Sequence, residues 1–317
     1  MTATTAGEIP ATAKVWRLTH RTEYVYEDEV FTSYGRAHLI PRHGDGQYRI
    51  AGQVEVDPAP ADLRDHTDFF GNRSTYFAVR TPHRELSVTA TSVVAVDRGG
   101  THRDALRDVR ARDVHARLHD RTDLAADLNA ARQYLLPSPM IGRAEQVAEF
   151  AHDLVRPARS MDEVVVDLLD RIHDGFSYVS GATNLRTTLA EVLTTREGVC
   201  QDFAHLTVAA LRSVGLAARY VSGYLETLPP PGKPRLVGVD ASHAWASVFA
   251  PGVGWVDFDP TNHKFVDDSY IVTAIGRDYS DVPPLRGVIY TESTKNTMKV
   301  SVDMAPVVNE SADDSPE

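Results

Sequence analysis

The hydrophobic period shifts from two residues to helical partway along this chain, and that shift divides what it can fold into. From residue 14 to about residue 96 apolar side chains recur at every second position. Trp16, Leu18, Thr22, Tyr24 and Tyr26 fall on one face, and Arg17, Arg21 and Glu23 on the other. Tyr48, Ile50, Val54 and Val56 repeat the alternation, as do Thr75, Phe77 and Val79, then Leu86, Val88 and Ala90. A two-residue period gives a strand two unlike faces. Turn signals at His43-Gly44-Asp45-Gly46 and Phe70-Gly71-Asn72-Arg73 separate the runs. Several short strands at this spacing specify a β-sandwich. No nucleophile–base pair is visible in it, so its expected role is structural or substrate-orienting.

From Ala125 the period becomes helical. Ser160-Met161-Asp162-Glu163 and Thr188-Leu189-Ala190-Glu191 both have capping-box spacing ahead of apolar runs. Gly175-Phe176-Ser177-Tyr178-Val179 reads as a turn into a short extended piece. Strand-like stretches follow at 269–273, 287–290 and 299–304. Between the halves, residues 97–123 are crowded with Arg and Asp. Asp108 with Arg112 and Asp113 with Arg117 have helix-surface spacing. His115 and His119 stand four apart without an evident third ligand, which favours exposed histidines over a metal site. The expected organisation is a disordered start (1–13), a β-sandwich (14–100), a charged linker or short helix (101–127), a second domain (128–305) and a disordered acidic tail (306–317). There is no internal repeat.

The chain of 317 residues is long enough for two such cores. Its net charge of −11 argues against nucleic acid or an anionic membrane as partner. No run approaches the length of a membrane-spanning helix. One cysteine excludes an internal disulfide, and residues 1–15 contain no apolar signal segment. Together these predict a reducing, cytoplasmic setting.

That one cysteine, Cys200, lies in Arg196-Glu197-Gly198-Val199-Cys200-Gln201-Asp202-Phe203-Ala204-His205, at the start of a helix-period run that Gly215 should stop. In the first turn of a helix a thiol meets unpaired N–H groups and the positive end of the dipole, which favour the reactive thiolate. Downstream, residues 238–249 alternate like a strand and place His243, Trp245, Ser247 and Phe249 on one side. Pro251-Gly252 signals a turn, and Gly254-Trp255-Val256-Asp257-Phe258-Asp259-Pro260-Thr261-Asn262 returns, with Asp257 and Asp259 on one side. A helix start and a two-strand ribbon can therefore assemble a thiol, an imidazole and a carboxylate. The imidazole takes the thiol proton, and the carboxylate fixes its tautomer and orientation. Periodicity alone leaves Asp257 and Asp259 tied. Pro260 favours Asp259, because it ends the ladder and leaves that carboxylate at a strand end.

Four blocks now carry a resemblance: Gly198-Val199-Cys200-Gln201-Asp202-Phe203-Ala204, Ala218-Arg219-Tyr220-Val221-Ser222-Gly223-Tyr224, His243-Ala244-Trp245, and Trp255 to Asn262. In this order and spacing, over roughly residues 140–290, the chain resembles the transglutaminase-like superfamily. The N-terminal half is similar to the β-domain that precedes the catalytic core in one bacterial branch. The resemblance implies an α+β protein, with an N-terminal β-sandwich followed by a papain-like, transglutaminase-like core of helices packed on an antiparallel sheet. It implies Cys200 as nucleophile, His243 as base and Asp259 as the orienting carboxylate. The expected chemistry is acyl transfer or hydrolysis at an amide, through a thioester, on a protein or peptide substrate with an amine or water as acceptor. The expected oxyanion donors are the Cys200 N–H and one of Tyr178 and Gln201. No cofactor is expected. Some members use calcium, but no acidic loop of the usual spacing is present. The alternatives are a non-catalytic binding module, a thiol sensor and an arylamine-type acyltransferase.

Overall fold

The computed structural model describes residues 9–99, 103–227, 242–292 and 295–307. Five strands come first: β1 (Lys14–Ala37), β2 (Gln47–Asp57), β3 (Asp62–Thr67), β4 (Arg73–Val79) and β5 (His83–Val96). β1 is 24 residues long and serves as two strands. Its first half pairs with β5 and its second half with β4, across a register shift between Val25 and Val30. Leu86, Val88 and Ala90 of β5 pack against Phe77 and Val79 of β4 and Ala37 of β1, so the two halves close face to face. The fold is the α+β sandwich-and-core arrangement. One predicted position fails locally: the register of β2 shifts between Arg49 and Ala51, leaving Ile50 44% exposed.

The span expected to be a charged linker or short helix is helical and packs onto the core. It forms α1 (Arg103–Arg107) and α2 (Ala111–His119), whose Leu106, Val114 and Leu118 are buried. Neither predicted i,i+4 ion pair forms. α1 ends before Asp108, which removes the helical spacing to Arg112, and Arg117 reaches Asp123 at 3.0 Å. α3 (Ala126–Arg132), α4 (Glu145–Ala151) and α5 (Met161–Gly175) follow, then β6 (Ser177–Tyr178), α6 (Leu189–Thr195), β7 (Glu197–Gly198) and α7 (Cys200–Ser213). Both capping boxes are made. Ser160 Oγ accepts from the Glu163 N–H while Glu163 accepts from the Ser160 N–H, and Thr188 and Glu191 do the same.

The core sheet has the order β11-β10-β9-β8-β12 and is antiparallel throughout, from β8 (Ala218–Leu225), β9 (Ser242–Ala250), β10 (Gly254–Asp259), β11 (Lys264–Phe265) and β12 (Tyr270–Gly276). Residues 238–241 of the predicted strand lie outside the described residues. One face of the sheet packs Ala246, Val248 and Phe258 against Phe203, Leu206 and Ala210 of α7. Toward the other end of the same face, Tyr224 and Ile271 pack against Trp16, Leu18 and Val94 of the sandwich. The opposite face buries Val221, Trp245 and Val272, with Phe70 of the sandwich against them. Side-chain amides close the β12 edge: Gln47 exchanges two 2.8 Å bonds with the Val272 backbone, and Asn72 bonds the Ile275 N–H and C=O at 2.8 and 2.9 Å.

The last two strands, β13 (Leu285–Thr291) and β14 (Asn296–Pro306), leave the core and pair with β1. The expected boundary, which kept residues up to 305 in the second domain, is therefore corrected: these strands complete the sandwich. Residues 9–13, expected to be disordered, hold a turn closed by the Ala13 N–H on the Pro10 carbonyl. Residues 1–8 and 308–317 lie outside the described residues. If β14 is integral to the sandwich, the fully buried Met304 should be costly to truncate. Met304→Ala is expected to lower unfolding free energy by about 2–5 kcal/mol in urea titrations. A loss below about 0.5 kcal/mol would mark the strand as an appendage.

Candidate active site

Helix α7 starts at Cys200 because the backbone is extended through Val199 (φ −119°, ψ 177°) and then captured by Asp202. The Asp202 carboxylate accepts from the Val199 N–H at 2.8 Å and from Thr183 Oγ1 at 2.6 Å. One bond closes the helix start, and the other ties the preceding loop to it. Gly198 suits this closeness: a Cβ there would lie 3.0 Å from Asp202 Cβ and 3.1 Å from the Phe203 ring, so those side chains would have to give way. β7 pairs in parallel with β6, so Tyr178 stands beside Gly198. The far end of α7 closes as predicted: Gly215 (φ +76°) leaves the helix while the Leu216 N–H bonds the Leu211 carbonyl at 3.0 Å.

Strand register breaks the tie between the two carboxylates. Asp257 opposes Ser247, and each aspartate reaches the diagonal neighbour toward the β9 start. Asp257 Oδ2 accepts from Trp245 Nε1 at 3.2 Å. Asp259, one step further along, accepts from His243 Nε2 at 2.7 Å. That leaves Nδ1 of His243 for Cys200, which lies close enough to help raise the imidazole's pKa.

Asp259 is fully buried and takes five hydrogen bonds. Oδ2 accepts from His243, from Asn262 Nδ2 at 2.6 Å and from the Tyr270 hydroxyl at 2.8 Å. Oδ1 accepts from the N–H groups of Thr261 and Asn262, at 2.8 and 3.2 Å. Burial alone would raise its pKa, but the bonds from His243, Asn262 and Tyr270 hold the carboxyl below its ordinary range. Burial likewise opposes the charged form of His243, yet Asp259 and Cys200 outweigh it and raise the imidazole to about 10. Trp245 and Tyr270 wall the ring, with centroids 6.1 and 6.2 Å away.

Tyr178 is 58% exposed, and partial burial and the neighbouring Cys200 raise its hydroxyl above the ordinary value, so it remains a donor beside the thiol. Gln201 is half-buried on the first turn of α7. The sequence reading did not single out Tyr270 or His205. Tyr270 lay in a recognised strand stretch, but nothing there signals a bond to Asp259. His205, one turn into α7, is buried and lowered to about 4 by that burial; its Nε2 accepts from the Tyr279 N–H at 3.1 Å. It is a neutral packing residue beneath Cys200. His115 and His119 stack on α2, with ring centroids 4.2 Å apart.

Residues 16–95 match the bacterial transglutaminase-like N-terminal region, and residues 148–260 match the transglutaminase-like superfamily. The chain is 46% identical over 302 residues to an uncharacterized protein of Mycobacterium tuberculosis, covering 92% of each. It is 33% identical to an uncharacterized protein of Mycobacterium leprae, over 86% of this chain and 93% of that one. A candidate cysteine protease from Cytophaga hutchinsonii shares the fold, with a TM-score of 0.72 at 19% identity over 95% of this chain and 93% of that chain. The chain belongs to the transglutaminase-like superfamily. Over 136 residues it is also 35% identical to a protein-glutamine gamma-glutamyltransferase of Pseudomonas aeruginosa, covering 40% of this chain and 19% of that protein.

The His243–Asp259 pair should leave a signature in stability against pH. His243 rises from 6.5 to about 10, so its contribution is complete below the unfolded value and is lost as pH climbs through the folded one. Asp259 falls below 3.8, so its share is present above that value and lost as pH drops through the folded one. The stability gap between wild type and Asp259→Asn is expected to be widest near pH 4–6.5 and to shrink toward pH 10. Denaturant titrations at about pH 5.5, 7.5 and 9.5 check this, and a gap that widens with pH would contradict it.

Proposed function

We propose that the protein is a cysteine-nucleophile enzyme that cleaves or exchanges amide bonds through a thioester at Cys200. The observation that carries this is the bond between the buried Asp259 carboxylate and His243 Nε2, on an imidazole whose pKa the neighbouring Cys200 helps to raise. In this reading the sulfur attacks a carboxamide or peptide carbonyl. The new S–C bond turns the carbonyl oxygen into an oxyanion beside the Cys200 N–H, which has no intrahelical acceptor at the helix start. Tyr178 or Gln201 supplies the second donor. Collapse of the intermediate breaks the C–N bond, and His243 gives its proton to the leaving amine. His243 then takes a proton from the incoming amine or water, which displaces sulfur and yields a new amide or an acid.

An amine acceptor makes the reaction transamidation, and water makes it hydrolysis. The local likeness to a glutamyltransferase and the shared fold with a candidate cysteine protease support these two outcomes of one first step. The substrate class is a protein or peptide, presented at the open side of β6 and α7. The chemistry calls for no cofactor.

Cys200→Ala is expected to abolish turnover with little change in the thermal midpoint. Asp259→Asn keeps volume but releases the imidazole tautomer. The same change costs about 10⁴ in kcat in a serine triad, and a thiol nucleophile needs less help, so a loss of roughly 10²–10³ is expected. Asp257→Asn, which touches Trp245 rather than His243, should cost less than about tenfold. Steady-state kinetics of both aspartate variants in one assay decide the matter, and the reverse ranking would refute the assignment.

A further inference from the structure

A second cleft, of about 260 Å³, opens where residues 44–47 of the sandwich meet β10 of the core, and the Cys200 chemistry uses none of its polar groups. Three arginines line it: Arg42, Arg98 and Arg219. Arg219 is 7% exposed, and its Nε has no hydrogen-bond partner. Its guanidinium lies over Trp255, 4.4 Å from the ring centre, and its contact with Asp257 is a long 3.9 Å. Arg42 directs its donors to neutral acceptors, the Phe70 carbonyl at 3.0 Å and Asn72 Oδ1 at 2.6 Å. Arg98 reaches the carbonyls of Asp267, Tyr270 and Asp45 at 3.2, 3.2 and 3.5 Å.

Among the described residues neither Arg42 nor Arg98 makes an ion pair within 4.0 Å. Burial, and after it the neighbouring Arg219, hold the Arg42 guanidinium below its ordinary pKa, while Asp45 works the other way. The cleft's lining sets three guanidiniums against two aspartates, Asp45 and Asp257, with Asp68 also acting on Arg42, and buried cations of this kind favour an anion that completes the set. Guanidinium forks match the oxygens of phosphate and carboxylate groups. The cleft is smaller than the roughly 300–1,000 Å³ usual for drug-sized ligands, so it suits one small anionic group.

We propose that this cleft is an anion-binding site that takes a single phosphate or carboxylate group on Arg42, Arg98 and Arg219. The assignment stands independently of the thiol chemistry. The test is calorimetric titration of the full chain with sodium phosphate and, in a separate arm, sodium acetate, at constant ionic strength, with thermal unfolding alongside. Saturable binding in either arm is expected, with a rise in Tm by mass action, and the stronger arm identifies the preferred group.

Arg98→Gln removes a charged donor and should weaken binding about tenfold or more. Asp45→Asn removes a negative charge from the rim and should tighten binding, on the order of threefold. Asp45 is exposed and sits at φ 55°, a left-handed position that Asn accepts, so this variant keeps the test alive should Arg98→Gln fail to fold. A tightening in particular cannot come from damaged structure. No saturable heat for either anion up to about 20 mM, or binding that a folded variant of either kind leaves unchanged, overturns the assignment.

Discussion

The buried carboxylate of Asp259 is the constraint around which the site is built. A charge with no exposure is tolerated only when its oxygens are fully occupied, and here five donors occupy them. Two of those donors are backbone N–H groups of the turn after Pro260, and a third is the Asn262 side chain in the same turn. The turn therefore folds about the carboxylate, and the carboxylate fixes His243. Tyr270, from the opposite edge strand, adds a donor that ties this end of β10 across the sheet. The imidazole held in this way has its second nitrogen turned to the thiol.

Placing the thiol is the task of a different part of the chain. Asp202 closes the start of α7 and pins Thr183, and Gly198 lets the preceding strand come close enough for that bond. The helix and part of the sandwich pack on one face of the core sheet, and Phe70 of the sandwich packs against Val221, Trp245 and Val272 on the other. A sheet buried on both faces has little freedom to slide, so the β9–β10 register that selects Asp259 over Asp257 is firmly held. The Gln47 and Asn72 amides satisfy the β12 edge at Val272 and Ile275, where the two cores meet.

Much of this is legible in the residues, for identifiable reasons. The placement of Cys200, His243 and Asp259 is readable because each sits in a short motif whose local geometry is set by nearby residues: a glycine before a helix, a strand alternation, a proline after a strand. The capping boxes are readable for the same reason. What the sequence hides is pairing at a distance. β14 alternates like any strand, and nothing in Lys299 to Met304 says that its partner is β1 rather than β12. The bulge at Ile50 changes a face without changing composition. Arg and Asp at residues 97–123 advertise a solvated short helix or linker, yet the fewer apolar residues between them, Leu106, Val114 and Leu118, decide the packing. The aspartate tie is broken by register, a relation between strands that neither strand carries alone.

The central claim is that Cys200 carries an acyl group during turnover. The direct measurement is intact-protein mass after acid quench of the wild-type chain with a library of glutamine-bearing peptides, followed by peptide mapping of the adduct. The account predicts an adduct of peptide mass less ammonia, confined to Cys200, discharged by a primary amine or by water, and lost in Cys200→Ala. Product formation with no acyl group on Cys200, or undiminished turnover in Cys200→Ala, would contradict it.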